Sequence, residues 1–462
     1  MIELSLAEIA KAVDGQLVVG SPEALVSGNV SIDSRELATG DIFFAKLGEN
    51  EDGHKYLPEV SAKGISLAIV SNQNFDLDLP QILVDDTIKA LAMLAEHVLN
   101  KLRPGGLKVV GVTGSNGKTS TKNILAAMLS DVGETLSPKG SYNNLVGLPL
   151  TVLRLTESTK FLVLEYGAAG LGSISSLASW TKPDVAAVLK VGMAHAGNFG
   201  GIEVTARIKA ELFEFVTEVA VINIDDPIVS GFRPALDARI RSFGFDSEAD
   251  IQIKRAEISL AGTVVELLVD GEPFSVELKI LGEHHALNLA AALAMALELG
   301  ADPERALQAA SKLLYPERWR MQLTQSSAGH YVINDAYNAS PESMRAALQT
   351  LATIGRQGHR TIAVLGHMAE LGEFAQHEHD QVGRLVVRYN IDMLYAVGEG
   401  SKLIHMGAMQ EGSWDGESEY HETMSAAFDA IHEKLRPGDV VLVKASNSTG
   451  LRFLGDDLAG LK

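Results

Sequence analysis

Thr113-Gly-Ser-Asn-Gly-Lys-Thr-Ser120 decides how this chain is read. It follows an apolar run, Val109-Val110-Gly111-Val112, that predicts a buried strand. It precedes Asn123-Ile-Leu-Ala-Ala-Met-Leu-Ser130, where apolar residues fall at helical spacing. Strand, glycine loop and helix together are a setting for polyphosphate. Gly114 and Gly117 let the backbone turn tightly and expose its N–H groups. The helix N-terminus adds a partial positive charge behind Ser115, Asn116 and Ser120. Lys118 can reach the outer phosphates, and the Thr119 hydroxyl can hold Mg²⁺. The common pattern G-x-x-x-x-G-K-[ST] wants glycine where this chain has Val112, so the version here is the narrower T-G-x-x-G-K-T.

Outward from the loop, 462 residues exceed one ordinary domain, and two or three are expected. The chain is 46% hydrophobic and 21% charged, enough apolar content for several cores. A net charge of −20 argues against nucleic-acid binding and against anionic membranes, both of which need basic surface. Small anionic ligands stay open, because local lysines and helix ends can hold them. Cysteine is absent, which removes disulfides, a thiol nucleophile and cysteine metal clusters. The start, Met1-Ile-Glu-Leu-Ser-Leu-Ala-Glu8, has early acids and no basic stretch, unlike a signal peptide. No apolar run reaches the ~20 residues of a membrane helix. A cytoplasmic protein without membrane insertion is expected.

Pattern divides the chain into three. Residues 1–86 alternate short strands and helices, with Ser66–Val70 and Gln81–Val84 as strands. Thr87–Leu102 predicts an amphipathic helix, and Arg103-Pro-Gly-Gly106 a turn into the glycine-loop strand. Strands at Phe161–Leu164, Val185–Leu189 and Ala220–Ile224 then alternate with helices, which implies a parallel sheet covered on both faces. Val264–Val269 and Phe274–Leu278 around Asp270-Gly271 predict an added antiparallel hairpin. An apolar helix near His285–Leu299 closes at Gly300. After a break at Pro316, strands at Tyr331–Asn334, Thr361–Leu365, Met393–Val397 and Val440–Val443 predict a second α/β unit, like a dinucleotide-binding fold. The expected architecture is therefore α/β in three domains, 1–86, 87–315 and 316–462. The lone Gly398-Glu-Gly400 is too weak a signal for a dinucleotide.

In open α/β sheets ligands bind at the carboxyl ends of strands. Glu165 ends one such strand and could coordinate Mg²⁺; isolated, it would be an ordinary solvated acid. His195, in Gly192-Met-Ala-His195, gains weight from Lys209 downstream, although spacing alone makes Lys209 a surface helix lysine. Asn288 could meet a base or sugar, or be a satisfied core amide. Arg318, Arg320, Asp335, Tyr337 and Asn338 suit phosphate and ribose, or surface salt bridges.

Together these positions resemble the Mur ligases, ATP-dependent amide-forming enzymes of peptidoglycan precursor synthesis. The resemblance covers nearly the whole chain. It is carried by Asp33-Ser-Arg35 with Gly40–Phe44 and Asp52-Gly-His54, by the loop from Thr113, and by Asn143-Asn144 with Gly147-Leu-Pro149. Glu165–Ala168, Ala194-His195 with Asn198-Phe-Gly200, Lys209-Ala-Glu211, Asn334–Pro341, Leu365–Gly372 and Val443-Lys444 continue it. It implies that Lys118 and Thr119 hold ATP phosphates and Mg²⁺, that Glu165 binds a first Mg²⁺, and that His195 helps bind a second. It implies a carbamylated Lys209 among the metal-site and catalytic groups, Asn288 at the adenine, Arg318 at the phosphates and Asp335 at the ribose. Ser34, Arg35, Asp52, Gly53 and His54 would serve a UDP-sugar in the small first domain. Asn143, Asn144, Tyr337 and Asn338 would lie with the substrates.

The most discriminating segment, Asp335-Ala-Tyr-Asn-Ala-Ser-Pro341, points to the member that joins D-alanyl-D-alanine to UDP-N-acetylmuramoyl-tripeptide. The third domain would bring the dipeptide, and a monomer is expected. The competing readings are a Mur-type ligase for a single amino acid or for folate glutamate, and a nucleotide-binding regulator without turnover. Three positions depart from the family: His367 where an acid is frequent, Lys444-Ala-Ser-Asn447 for Lys-Gly-Ser-Arg, and Ala169-Gly170 for Asn-His.

Overall fold

The computed structural model describes every residue except 49–50, 139, 195, 315–316, 413–416 and 462. His195 and the break at Pro316 thus lie outside the described residues. The chain forms two compact units, one of Met1–Gly111, Gly133–Gly167 and Ser175–Asp184, the other of Val112–Val132, Ala168–Ile174 and Val185–Lys462.

The first unit opens with a five-stranded sheet in the order Gln16–Val19, Gln81–Leu83, Leu67–Val70, Ile42–Phe44, Val30–Ser31. All its pairings are parallel except that of Gln16–Val19. Leu37, Phe43, Leu57, Val60, Ala68 and Val70 close one face of it. The helix Thr87–Leu102 begins where sequence places it, because the Asp86 carboxylate accepts the N–H groups of Ile88 and Lys89 at 2.7 and 3.1 Å. The strand Lys108–Thr113 is divided between the units at Gly111. Its first half lies beside Phe161–Glu165, with the Lys108 N–H on the Lys160 carbonyl, and Phe161–Glu165 pairs in parallel with Thr135–Leu136.

In the second unit the strand's last residue, Thr113, accepts the Leu189 N–H beside the strand Val185–Val188. From there Val219–Asn223, Arg239–Gly244 and Ile251–Ser259 follow as parallel neighbours. The expected hairpin is present, with Asp270 and Gly271 both at positive φ in its turn. It is larger than expected: Ile251–Ser259 also pairs antiparallel with Gly262–Val269, so the ribbon has three strands. A register shift at Ile253/Arg255 breaks the alternation there and hides the strand from a period-two reading.

The last sheet runs Gln322–Gln325, Tyr331–Asn334, Val440–Lys444, Thr361–Leu365, Met393–Val397, Ser418–His421, parallel except for the first strand. The helices Pro341–Gly355, Ala375–Arg388 and Lys402–Glu411 cover one face, and Met424–Lys434 and Leu451–Leu458 the other. This is the doubly wound arrangement that the strand–helix alternation predicts. Pro341–Gly355 starts sharply: Ser340 and Ser343 form a reciprocal cap, and Pro341 fills the first position, where no N–H is needed.

Candidate active site

The glycine loop is built by local conformation. Val109, Val110 and Val112 bury the strand that leads into it. Gly114 then takes φ +150° and Gly117 φ +87°, the second a left-handed value costly to any residue with a Cβ. A Cβ on Gly114 would lie 3.1 Å from Leu189 Cβ and 3.2 Å from the Lys190 nitrogen; on Gly117 it would strike Asn288 Oδ1 at 2.4 Å. The helix Lys118–Ser130 starts directly behind, with no side chain capping its first turn. The positive end of its dipole therefore faces the loop, as an anion site requires. Lys118 Nζ donates to the Gly114 carbonyl at 2.7 Å, which folds the ammonium over the cradle. Thr119 and Ser120 are buried.

Asn288 is neither a detached core amide nor solvent-facing. It packs against Gly117, its Oδ1 accepts from the Thr121 hydroxyl at 3.3 Å, and its Nδ2 meets His285 Nδ1 at 3.3 Å. His284 and His285 lie beside it with rings 4.3 Å apart at the start of the helix His284–Glu298, His285 buried and His284 partly so. Burial pushes the His284 pKa down to about 4 and the His285 pKa well below the ordinary value. Both rings are thus neutral at pH 7. Sequence reading passed over this pair, because two histidines at a helix start carry no periodic signal.

The two arginines that follow diverge. Arg318 lies over the Trp319 ring at 4.5 Å and pairs with Asp456 at 3.0 Å, turned to the helix Leu451–Leu458. Arg320 stacks on the Tyr337 ring at 4.4 Å, and its charge helps to hold His285 neutral. The residues on either side, Trp319 and Met321, have φ +59° and +48°, strain that fixes this segment. Asp335 forms a largely buried pair with Lys444 at 2.6 Å and accepts the Met321 N–H at 3.0 Å. Asn338 gives its carbonyl to Lys444 at 2.9 Å.

Glu165 is 1% exposed at the end of its strand, and its Oε1 accepts from Asn143 Nδ2 at 2.7 Å. It is not a solvated acid. Asn144 instead spends its side-chain oxygen on the N–H groups of Val146 and Gly147. Lys209, an ordinary surface lysine by spacing, is 2% exposed. Two residues on, buried Glu211 accepts the N–H groups of Gly172 and Ile174 at 2.7 and 3.0 Å.

In the first unit Arg35 holds the half-buried Asp33 carboxyl down at about 2, and Ser34 is buried with its carbonyl on Lys63 Nζ. His54 is fully engaged. Its Nδ1 meets Asp52 at 2.6 Å, and its Nε2 accepts from the Ser71 and Asn72 N–H groups at 3.0 and 3.2 Å. Gly53 packs against Lys46, where a Cβ would meet the Lys46 nitrogen at 2.8 Å.

A glycine loop followed by Lys118 and Thr119 at a helix start defines a class, the proteins that bind nucleotide phosphates. The chain matches the Mur ligase middle domain over residues 112–296, the Mur ligase glutamate ligase domain over 319–447, and the Mur ligase family catalytic domain over 28–98. It belongs to the Mur ligase family, as an α/β chain of three domains. UDP-N-acetylmuramoyl-tripeptide--D-alanyl-D-alanine ligase of Mycobacterium bovis is 39% identical, over 99% of this chain and 98% of that one. The Bacillus subtilis protein of that name is 32% identical over 99% of both. Among solved structures, MurF from Acinetobacter baumannii is similar with a TM-score of 0.89 at 29% identity over 99% of both chains. MurF ligase from Thermotoga maritima in complex with ADP gives 0.82 at 27% identity over 94% of this chain and 98% of that one.

Proposed function

We infer that this chain joins D-alanyl-D-alanine to UDP-N-acetylmuramoyl-tripeptide, consuming ATP. The observation that carries the reading is end-to-end similarity to ligases of that name, at up to 39% identity. A peptide carboxylate oxygen attacks the γ-phosphorus of ATP, forming an acyl phosphate as ADP leaves. The amine of the dipeptide attacks the acyl carbon; phosphate leaves and the amine gives up a proton. Lys118 neutralises charge on the transferred phosphoryl group, and the N–H groups of the loop orient it. We assign Asn288 to the base and Asp335 to the ribose. For the phosphates we favour Arg320 over Arg318, since Arg318 is committed to Asp456.

The cradle fits a nucleotide, because only glycine suits positions 114 and 117. The donor set also fits Mg²⁺. The Thr119 hydroxyl and Glu165 carboxylate are hard oxygen donors, and Mg²⁺ is held by one or two carboxylates together with phosphates and water. Bound Mg²⁺ supplies charge neutralisation on the phosphates.

Burial of Lys209 supports its carbamylation, in which the neutral amine adds CO₂ and releases a proton. His195 is proposed to help bind a second Mg²⁺. Ser34, Arg35, Asp52, Gly53, His54, Asn143 and Asn144 are proposed for the UDP-linked substrate, and Tyr337 and Asn338 for the end that reacts. His54 would act by shaping backbone, since both its ring nitrogens are engaged, and Asn144 keeps only its Nδ2 for a ligand, its oxygen being spent on Val146 and Gly147. Domains at 1–86, 87–315 and 316–462, a monomeric state and a cytoplasmic location complete the reading. Among the described residues no helix is long and apolar enough to cross a membrane.

The test is ADP release by the purified chain with UDP-linked tripeptide, with dipeptide, and with both. Release only with both is expected, and release that ignores the dipeptide would overturn the reading.

A further inference from the structure

Beyond the ligase reading, and resting on it only for one kinetic readout, we propose that Glu342 is a positioning residue. It fastens the helix Pro341–Gly355 to the chain segment that supports the phosphate loop. Four contacts within the second unit carry this. Glu342 Oε1 accepts the Met193 N–H at 2.8 Å. Gly192 lies so close to that carboxylate that a Cβ on it would be 2.9 Å from Oε1 and Cδ. Gly192 is in turn bound to Ser115 of the loop: its N–H donates to Ser115 Oγ at 2.9 Å, and the hydroxyl donates to its carbonyl at 3.2 Å. One residue along, Asn116 Oδ1 accepts from the Ser340 hydroxyl at 3.3 Å. Two adjacent loop residues are thus tied to residues 340 and 342, the start of a single helix.

The chemistry favours a carboxylate here. It sits in the first turn of a helix, where the N-terminal dipole stabilises an anion. A hydrogen bond from backbone N–H to carboxylate is stronger than a neutral one. The fastening is also incomplete in itself. Glu342 Oε2 and Asn116 Nδ2 are shut from solvent without a hydrogen-bond partner among the described residues. Buried polar atoms left over in this way lower the net strength of the contact. Met193 stands two residues before His195, so the same bond fixes the start of the stretch proposed to bear a metal-binding histidine. Gly372 backs the far side of that stretch, where a Cβ on Gly197 would reach its nitrogen at 2.4 Å.

The test is hydrogen–deuterium exchange at the Met193 amide of the full chain, with turnover measured in parallel. Glu342→Ala is expected to speed exchange about tenfold or more, the scale of a lost bond to a charged group. Amides of Thr361–Leu365, in the core of the last sheet, should stay as protected as before, which excludes general unfolding. Glu342→Gln keeps an acceptor at Oε1 and should restore most of the protection. Gly192→Ala reaches the same contact from the opposite side and should reproduce the loss, with the double variant no worse than either single one. In turnover, Glu342→Ala should release ADP in excess of the peptide formed. Unchanged Met193 exchange in both Glu342→Ala and Gly192→Ala would overturn the proposal. Absence of wild-type turnover would instead overturn the ligase reading and leave the exchange result standing.

Discussion

The phosphate loop and the carboxyl-edge loops of the last sheet do comparable work by different means. Residues 113–120 take their turn from their own torsions, two glycines at +150° and +87° and a helix that starts at Lys118, and distant Gly192 and Ser340 then fasten it. The edge loops take theirs from partners far away in sequence. Lys444 holds Asp335 and Asn338 across more than a hundred residues. Ser446 binds the loop at His367 and Ala369, through its own N–H to the His367 carbonyl and through its hydroxyl from the Ala369 N–H. His379 Nε2 accepts the Met368 N–H at 2.9 Å. A site of the first kind survives as a short motif. One of the second kind can change its residues while keeping its frame, and the departures at His367 and Asn447 fall there.

The largest expected effect breaks the comparison at the loop. Lys118→Ala should lower turnover about a thousandfold or more, since it removes the cation that meets the developing phosphoryl charge. Its melting temperature should stay near wild type, and retained turnover would end the assigned role. At the edge loops the balance reverses. Lys444→Ala leaves the Asp335 carboxylate largely buried without its cation and should cost about 3–5 kcal/mol in urea unfolding.

The adjacent pair His284 and His285 sharpens the contrast through pH. The folded His284 pKa, about 4, lies below its ordinary 6.5, so between those values the unfolded chain binds more protons. Stability should therefore be full above about pH 6.5 and fall as pH drops toward 4, by on the order of 3 kcal/mol for this group. Melting temperatures followed over that window should flatten in His284→Asn. The smallest effect is at Gly117→Ala, which forces a strained φ and a Cβ against Asn288. It should weaken ADP affinity about tenfold by calorimetry, on the scale of 1–2 kcal/mol for backbone strain.

Sequence carried the parts whose signal is local. The helix Thr87–Leu102, the strands Tyr331–Asn334, Thr361–Leu365 and Met393–Val397, and the turn at Asp270-Gly271 all lie where period and turn chemistry put them. Ile251–Ser259 was missed as a ribbon strand because its register shifts at Ile253/Arg255. Lys209 reads as a surface residue, since spacing reports which face a side chain lies on and not what covers that face. Arg318 and Arg320 are equivalent on paper. Left-handed torsions at Trp319 and Met321 turn them to different partners, which no pattern in the sequence announces. Glu342 was passed over for the same reason, since its partner is a backbone N–H 149 residues away.

The central claim is that the phosphate loop spends ATP only to make the tripeptide carboxylate reactive toward the dipeptide amine. It is tested most directly by measuring ADP released per peptide bond formed, with UDP-N-acetylmuramoyl-tripeptide present and D-alanyl-D-alanine present or absent. A ratio near one with both substrates, and negligible release without the dipeptide, is the predicted result. Release at the same rate whether or not the dipeptide is supplied would contradict it.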